Sequence, residues 1–443
     1  MTNKYDELMI AVCGNVDAGK SSLIGVLSSG KLDDGRGSAR QKILMHHHEK
    51  ETGRTSNISL NPILYKNFSN KIYLCNYQDK NKRLEEIQIN KSDSEINKSK
   101  IILFVDLAGH EKYLKTTVYG LTGTFPNYGI VVMGANHGIT RMTREHLGIL
   151  LYLKVPIIII ITKIDITPSH IYKKLCNRLK NLLSKKTYGK VLYFISDSDK
   201  RYQETNTYIS KMSNNYDIIP VISASNKNGM NIDNIHKILY SLPLRNKWQE
   251  QTKGSLVYLD TNYKVPGIGL VLSGTTKGET IKIKQKMFLG PSNGTFKEVI
   301  IRSMHNTIRE EITEIHSGLQ GCFAIKFTNP KDIIERRQLK KGMVLIDSLD
   351  TWKNNIVKQF WAKITILKHS TTIRNGYSPV IHCGPIRQCA EIILDTDKQL
   401  RIGDTAMVQF KFLYHPEFLE ENMVFFFREG ATKGIGEVIS LNN

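Results

Sequence analysis

The chain lacks any Cys-x-x-Cys spacing. Its six cysteines, Cys13, Cys75, Cys176, Cys322, Cys383 and Cys389, are scattered over 443 residues. That pattern excludes a dense disulfide framework and a cysteine zinc site, and it fits free thiols in a reducing compartment. No apolar run approaches the ~20 residues of a membrane span, and Met1 to Asp6 has no signal-peptide layout. No membrane partner is therefore expected, and the cytoplasm is the expected location. Coiled-coil heptads and long helical repeats are missing too, which suggests a monomer. Acidic residues are in short supply, with 41 Asp plus Glu against 62 Lys plus Arg, a net charge of +21. Such an excess is a footprint for a polyanion, RNA being the obvious candidate. Enrichment in Lys, Asn and Ile from an AT-rich genome would give much of the same charge as plain solvated surface.

What is present begins with Gly14-Asn15-Val16-Asp17-Ala18-Gly19-Lys20-Ser21, a G-x-x-x-x-G-K-[ST] loop after the apolar run Leu8 to Cys13. Strand, loop and following helix make this a nucleoside triphosphate site. Backbone N–H groups converge on the phosphates at the helix start, Lys20 reaches the terminal phosphates, and the Ser21 hydroxyl takes a place on Mg²⁺. Thr55, in a polar loop, is placed to be a switch threonine. Asp106-Leu107-Ala108-Gly109 follows the continuous apolar run Ile101 to Val105, a pattern suited to a buried parallel strand. Asp106 is a second partner for Mg²⁺, an acidic one that can hold the metal through water, and the Gly109 N–H can meet the γ-phosphate. Thr162-Lys163-Ile164-Asp165 follows Val155 to Ile161, and the Asp165 carboxylate can accept hydrogen bonds from N1–H and the 2-amino group of guanine. Adenine offers neither donor, so guanine is favoured. Ser223-Ala224-Ser225 follows Ile218 to Ile222, where the Ala224 N–H can bond guanine O6.

These five segments, with Ser22 closing the first, resemble the guanine-nucleotide motifs of GTPases in family order. Gly14 to Ser22 and Asp106-Leu107-Ala108-Gly109-His110-Glu111-Lys112-Tyr113 are similar to the translational class typified by elongation factor Tu. Leu32 to Lys42, His46-His47-His48-Glu49 and Gly53-Arg54-Thr55-Ser56 resemble the branch called GTP-binding proteins 1 and 2. The resemblance implies a Mg²⁺-dependent GTPase that cycles between GTP and GDP forms, with aminoacyl-tRNA and the ribosome as partners. It implies that His110 orients the attacking water, with Lys20 and Gly109 stabilising charge in a loose transition state. It also carries two departures. Thr162 stands where most members have asparagine, so an amide that bonds the base and ties down the phosphate loop is expected to be missing. Arg54 replaces an apolar residue that fences His110, although Val16 matches the other side of that fence. Two further readings stay open: a GTP-controlled ribosome-surveillance or messenger-turnover factor that delivers no amino acid, and a regulatory GTPase subunit of a metabolic enzyme.

The expected fold is α/β, a P-loop domain with a parallel sheet over residues 1–245, followed by two all-β barrels over 250–348 and 352–443. Helical segments at Ser21–Ser28, Arg141–Leu153, Ser169–Leu183 and Asn231–Ser241 alternate with apolar strands in the first part. The polar insertions 67–100, with a candidate hairpin, and 197–215 read as surface decorations. Glycine-broken alternating runs such as Gly267–Gly274 mark the second part, and Phe425-Phe426-Phe427 reads as strand core rather than a base-stacking platform. The His46-His47-His48 run cannot turn every ring toward one ion, so no metal beyond Mg²⁺ is assigned. Arg36, Arg40 and Lys42, beside the first switch, are the better candidates for contacts that depend on nucleotide state. Arg428 and Lys433 are candidate phosphate contacts, with solvated surface as the alternative.

Overall fold

The computed structural model describes residues 4–44, 49, 55–68, 71–76, 82–87, 99–184, 188–195, 209, 212, 217–245, 254–292, 294–334, 336–369, 371–394, 399–430 and 432–442. They fall into two compact units, Met1–Leu121 with Pro126–Arg245, and Thr122–Phe125 with Asn246–Asn443. The first unit is built on a nine-stranded sheet. Its strands are β1 (Tyr5–Gly14), β2 (Ser59–Phe68), β3 (Lys71–Cys75), β4 (Arg83–Ile87), β5 (Ser99–Asp106), β6 (Tyr128–Gly134), β7 (Ile157–Thr162), β8 (Val191–Phe194) and β9 (Ile218–Ser223). The spatial order is β4-β3-β2-β5-β1-β6-β7-β9-β8. From β5 to β8 every pairing is parallel. The central strands are buried along their length, as the Ile-rich β7 shows, because helices cover a parallel sheet on both faces and leave no side for polar residues.

Those helices are α1 (Lys20–Ser29), α2 (Ser38–Gln41), α3 (Leu114–Gly123), α4 (Arg141–Tyr152), α5 (Ser169–Leu183) and α6 (Ile232–Ser241). Leu23, Ile24 and Leu27 of α1 and Ile235, Ile238 and Leu239 of α6 join Ile10, Val12, Ile102 and Phe104 in one core. Thr140 caps α4 by accepting the Thr143 N–H, which sets its start at the expected Arg141; the helix ends at Tyr152, one residue before the expected Leu153. Parallel register brings the carboxyl ends of β1, β5, β7 and β9 to one edge, where Gly14, Asp106, Thr162 and Ser223 close their strands. Ligands of open α/β sheets bind at that edge.

The two insertions are less peripheral than their polar composition implies. The described part of 67–100 does form a hairpin, β3 with β4, but it extends the main sheet through β2, and Ile72, Leu74 and Ile87 enter the central core. Of the 197–215 insertion only Ile209 and Met212 are described, and both are buried in the same core. These apolar residues were too sparse to outweigh the surrounding Asn, Ser and Lys in the sequence pattern.

The second unit holds two antiparallel barrels. Strands Ser255–Val265, Gly269–Gly278, Gln320–Phe327, Thr295–Asn306, Lys286–Ser292 and Val344–Ile346 close the first. The glycine-rich run is thus a barrel strand, with no helix after it. Strands Gln359–Lys368, Thr405–Phe412, Ile386–Ile393, Val380–Cys383, Val424–Glu429 and Thr432–Asn442 close the second. Its core is aromatic: Phe360 and Phe410 stack at 5.4 Å, and Phe425 and Phe427 lie over Gly436 and Gly434, where no side chain would fit. Phe426 is buried as well, so the three phenylalanines pack as expected from the pattern.

Candidate nucleotide-binding site

The loop between β1 and α1 is shaped by backbone before any side chain acts. Asp17 and Gly19 both take left-handed conformations, at φ 58° and 84°, and α1 starts directly after Gly19 with no side-chain cap. The first-turn amides of α1 are therefore left for an anion, aided by the helix dipole. Lys20 is 7% exposed and its Nζ donates to the Asn15 carbonyl at 2.9 Å, curling over the loop. Gly109 lies against this lysine: a Cβ there would stand 2.5 Å from Nζ and 2.7 Å from the Gly14 carbonyl oxygen. The pocket is lined by Val16, Asp17, Gly19, Lys20, Ser21, Ser22, Arg40, Thr55, Gly109 and His110.

Three oxygens meet on one side of it. Ser21 Oγ donates to Asp106 Oδ2 at 2.8 Å, Thr55 Oγ1 donates to the same oxygen at 3.0 Å, and the two hydroxyls are 2.8 Å apart. Adjacent corners of an octahedron with ~2.1 Å metal–oxygen bonds are about 3 Å apart, so the 2.8 Å spacing of the two hydroxyl oxygens suits a small, hard cation, with Asp106 behind them. Asp106 Oδ1 is buried without a hydrogen-bond partner, an orphaned carboxylate oxygen that a metal or its water shell would satisfy. Burial pushes the Asp106 carboxyl up, opposed by the Lys20 charge and the Ser21 and Thr55 hydroxyls. Burial likewise pushes Lys20 down, opposed first by Asp106. A lysine and a carboxylate kept this dry interact strongly with phosphate and cation.

His110 stands exposed at the mouth of the pocket. It caps the turn Glu111–Tyr113, with Nδ1 accepting the Lys112 N–H at 3.1 Å, and its ring meets Tyr113 edge-on. Val16 lies in the same lining; Arg54, the other residue of the expected fence, is outside the described residues, as are His46 to His48.

The base side differs from expectation at two points. Thr162 is fully buried and its hydroxyl donates to the Ala18 carbonyl at 2.6 Å. The shorter side chain thus ties β7 to the phosphate loop itself, and the tie expected to be missing with asparagine is present. Ala224 is also buried, but its N–H donates to the Ile161 carbonyl at 2.8 Å. In this structure that amide continues the β7–β9 ladder and is not held open for guanine O6. Lys163 takes a left-handed conformation at φ 60°, which turns the chain so that Asp165, in the short turn Ile164–Ile166, projects into solvent. Ser223 Oγ bonds the Tyr172 hydroxyl at 2.7 Å, while Ser225 Oγ accepts the Lys227 and Asn228 amides, both at 3.3 Å.

Three supporting residues lie outside the five nucleotide motifs. His146 Nδ1 accepts the Gly14 N–H at 3.1 Å, and burial together with the Lys20 charge lowers this histidine to about 3, so it stays neutral. Asn226 Nδ2 donates to the Gly19 carbonyl at 3.4 Å, and its Oδ1 is buried without a partner. Glu49 Oε1 accepts the Ser56 and Asn57 amides at 2.7 and 3.1 Å, which fixes the backbone just after Thr55. Glu49 was visible in the sequence only as the end of the histidine run.

A family model described as the elongation factor Tu GTP-binding domain matches residues 6–245. The chain belongs to the translational GTPases. It is 38% identical to GTP-binding protein 1 of Xenopus laevis, over 99% of this chain and 64% of that protein. It is 36% identical to GTP-binding protein 2 of Homo sapiens, over 98% of this chain and 69% of that one. The chain spans about two thirds of the length of these curated relatives. Translation elongation factor SelB from Methanococcus maripaludis, solved with the GTP analogue GppNHp, aligns with a TM-score of 0.65 and 17% identity, covering 99% of this chain and 80% of that one. At that identity the likeness speaks for the fold: a P-loop domain and two barrels. A domain of this class binds GTP and GDP and hydrolyses GTP. Among the described residues no helix is long and apolar enough to cross a membrane.

Proposed function

We propose that this GTPase is a Mg²⁺-dependent switch whose GTP form binds aminoacyl-tRNA and is triggered by the ribosome, with domains at 1–245, 250–348 and 352–443. The observation that carries the reading is the convergence of Lys20, Ser21, Thr55 and the half-satisfied Asp106 beside an open helix start. Ser21 and Thr55 would hold the metal, with Asp106 supporting it through water, and Mg²⁺ there would supply positive charge against the terminal phosphates. Lys20 adds a desolvated positive charge, and the first amides of α1 supply fixed dipoles that need no reorganisation. The Gly109 N–H meets the γ-phosphate, so the segment after it follows nucleotide state. His110 orients the attacking water once its hold on the Lys112 amide is released. Asp165 reads N1–H and the 2-amino group of guanine.

Support for an RNA partner comes from the net charge of +21, which predicts strongly salt-dependent binding, and from the elongation-factor relatives. The test is binding of the GTP form to charged and uncharged tRNA, with ribosome-stimulated turnover measured alongside. Preference for charged tRNA together with stimulation supports delivery. Ribosome binding without any preference for charged tRNA would favour surveillance or messenger turnover instead.

A further inference from the structure

We infer that Arg40 contacts the polyphosphate of the bound nucleotide, supplying a second side-chain cation in addition to Lys20. This rests on the nucleotide-binding reading above and goes beyond it by assigning a residue outside the five motifs. Of the three basic residues beside the first switch, Arg36 and Lys42 are exposed, whereas Arg40 is half-buried and lines the same pocket as Lys20, Ser21, Thr55 and Gly109. Its Nε is buried and has no hydrogen-bond partner. A buried guanidinium nitrogen without an acceptor is costly, and the pocket it lines is where acceptor oxygens of a phosphate would lie. A guanidinium suits that task, because its planar fork can donate two parallel hydrogen bonds to one phosphate.

The carboxylates nearest in sequence do not claim it. Asp34 Oδ1 accepts the Arg36 and Ser38 amides at 2.8 and 3.2 Å, and Asp33 Oδ1 accepts the Ala39 amide at 3.0 Å. Both acids are occupied in ordering the start of α2. The Asp33 N–H donates in turn to the Asn226 carbonyl at 2.8 Å, which anchors this segment beside the loop after β9.

Two glycines make the position specific. Gly37 has φ 98°, and a Cβ there would lie 2.4 Å from Arg40 Nε and 2.8 Å from Cζ, so the guanidinium packs on bare backbone. Gly25, in α1, would carry a Cβ 2.3 Å from the Ala39 carbonyl oxygen. The residue before Arg40 is thus pressed against the helix that begins at the phosphate loop. Close-packed backbone of this kind holds a side chain to a fixed distance from the site.

The test uses the full chain and measures Kd for GDP and for a non-hydrolysable GTP analogue in the unaltered protein, Arg40→Ala, Arg40→Lys and Arg36→Ala, with ³¹P spectra of each bound nucleotide. Losing a charge-assisted contact should weaken binding at least about tenfold in Arg40→Ala. Arg40→Lys should recover part of that loss, and Arg36→Ala should change nothing. At least one phosphate resonance should move in Arg40→Ala, which a purely structural role for Arg40 would not produce. Unchanged affinity in Arg40→Ala, or weakened affinity with unmoved phosphate resonances, would overturn the inference. Failure of the unaltered protein to bind either nucleotide would instead overturn the reading beneath it.

Discussion

Replacing Thr162 by valine removes one hydroxyl and keeps nearly the same shape. The threonine is fully buried, and its Oγ1 lies 2.6 Å from the Ala18 carbonyl and 3.3 Å from that of Met133. With one proton to give, it serves the nearer oxygen, and the change strands the Ala18 carbonyl. Leaving a buried acceptor unsatisfied costs about 1–3 kcal/mol. Because Ala18 is part of the phosphate loop, the loss should fall on the ordering of that loop as well as on overall stability. If half of a ~3 kcal/mol cost is felt only by the nucleotide-competent loop, affinity for GDP falls about tenfold. The assay is paired: thermal unfolding of the nucleotide-free protein, and GDP affinity by fluorescence titration. Thr162→Ser serves as the control that keeps the hydroxyl and should retain the affinity. The reasoning is refuted if Thr162→Val unfolds and binds GDP like the unaltered protein, because the 2.6 Å contact would then carry no energy.

Other expectations follow from the same geometry. Asp165→Asn should shift preference from guanine to xanthine nucleotides, since xanthine presents an acceptor where guanine has its 2-amino group; competition titration with both would show it, and unchanged guanine preference would count against the assigned base contact. Lys20→Ala should abolish Mg²⁺-dependent GTP binding, whereas His110→Ala should bind GTP normally and hydrolyse it at least tenfold more slowly; equal loss of binding in both would remove the distinction drawn between them. In the second unit, Glu417 is buried, accepts from Gln388 Nε2 at 2.6 Å and has its carboxyl raised by burial to about 8. A folded-state value above the unfolded one means that ionisation opposes folding. The contribution of Glu417 to stability should be fully present below the ordinary carboxylate range and be lost as pH rises to about 8, by at most about 5 kcal/mol. Glu417→Gln should flatten that decline in pH-dependent melting; an unaltered slope would place its origin elsewhere.

The site was legible where chemistry forces local sequence. A phosphate loop needs its glycines, lysine and serine at fixed spacing, and Asp106, Thr162 and Ser223 announce themselves at the ends of apolar runs, so the order of motifs is readable from the chain. Contacts set by tertiary register were not. Nothing in the sequence says that the Ala224 amide belongs to the β7–β9 ladder, or that a threonine hydroxyl can reach the loop that an asparagine holds in other members. His146 looks like any polar residue of an amphipathic helix until the fold puts its ring against Gly14. The choice of Arg40 over Arg36 and Lys42 depends on a left-handed glycine and on the packing of α2 against α1, both invisible in composition. The hairpin of β3 and β4 was foreseen as a hairpin, but its burial was not, because alternation in a mostly polar stretch gives no depth.

The most direct measurement is the hydrolytic lifetime of the ester bond in aminoacyl-tRNA in the presence of the GTP form and of the GDP form. The account predicts a longer lifetime with GTP and none with GDP beyond that of free aminoacyl-tRNA. Equal lifetimes in both states would contradict delivery of charged tRNA and redirect the switch toward another ribosomal task, while the guanine-nucleotide site would stand unaffected.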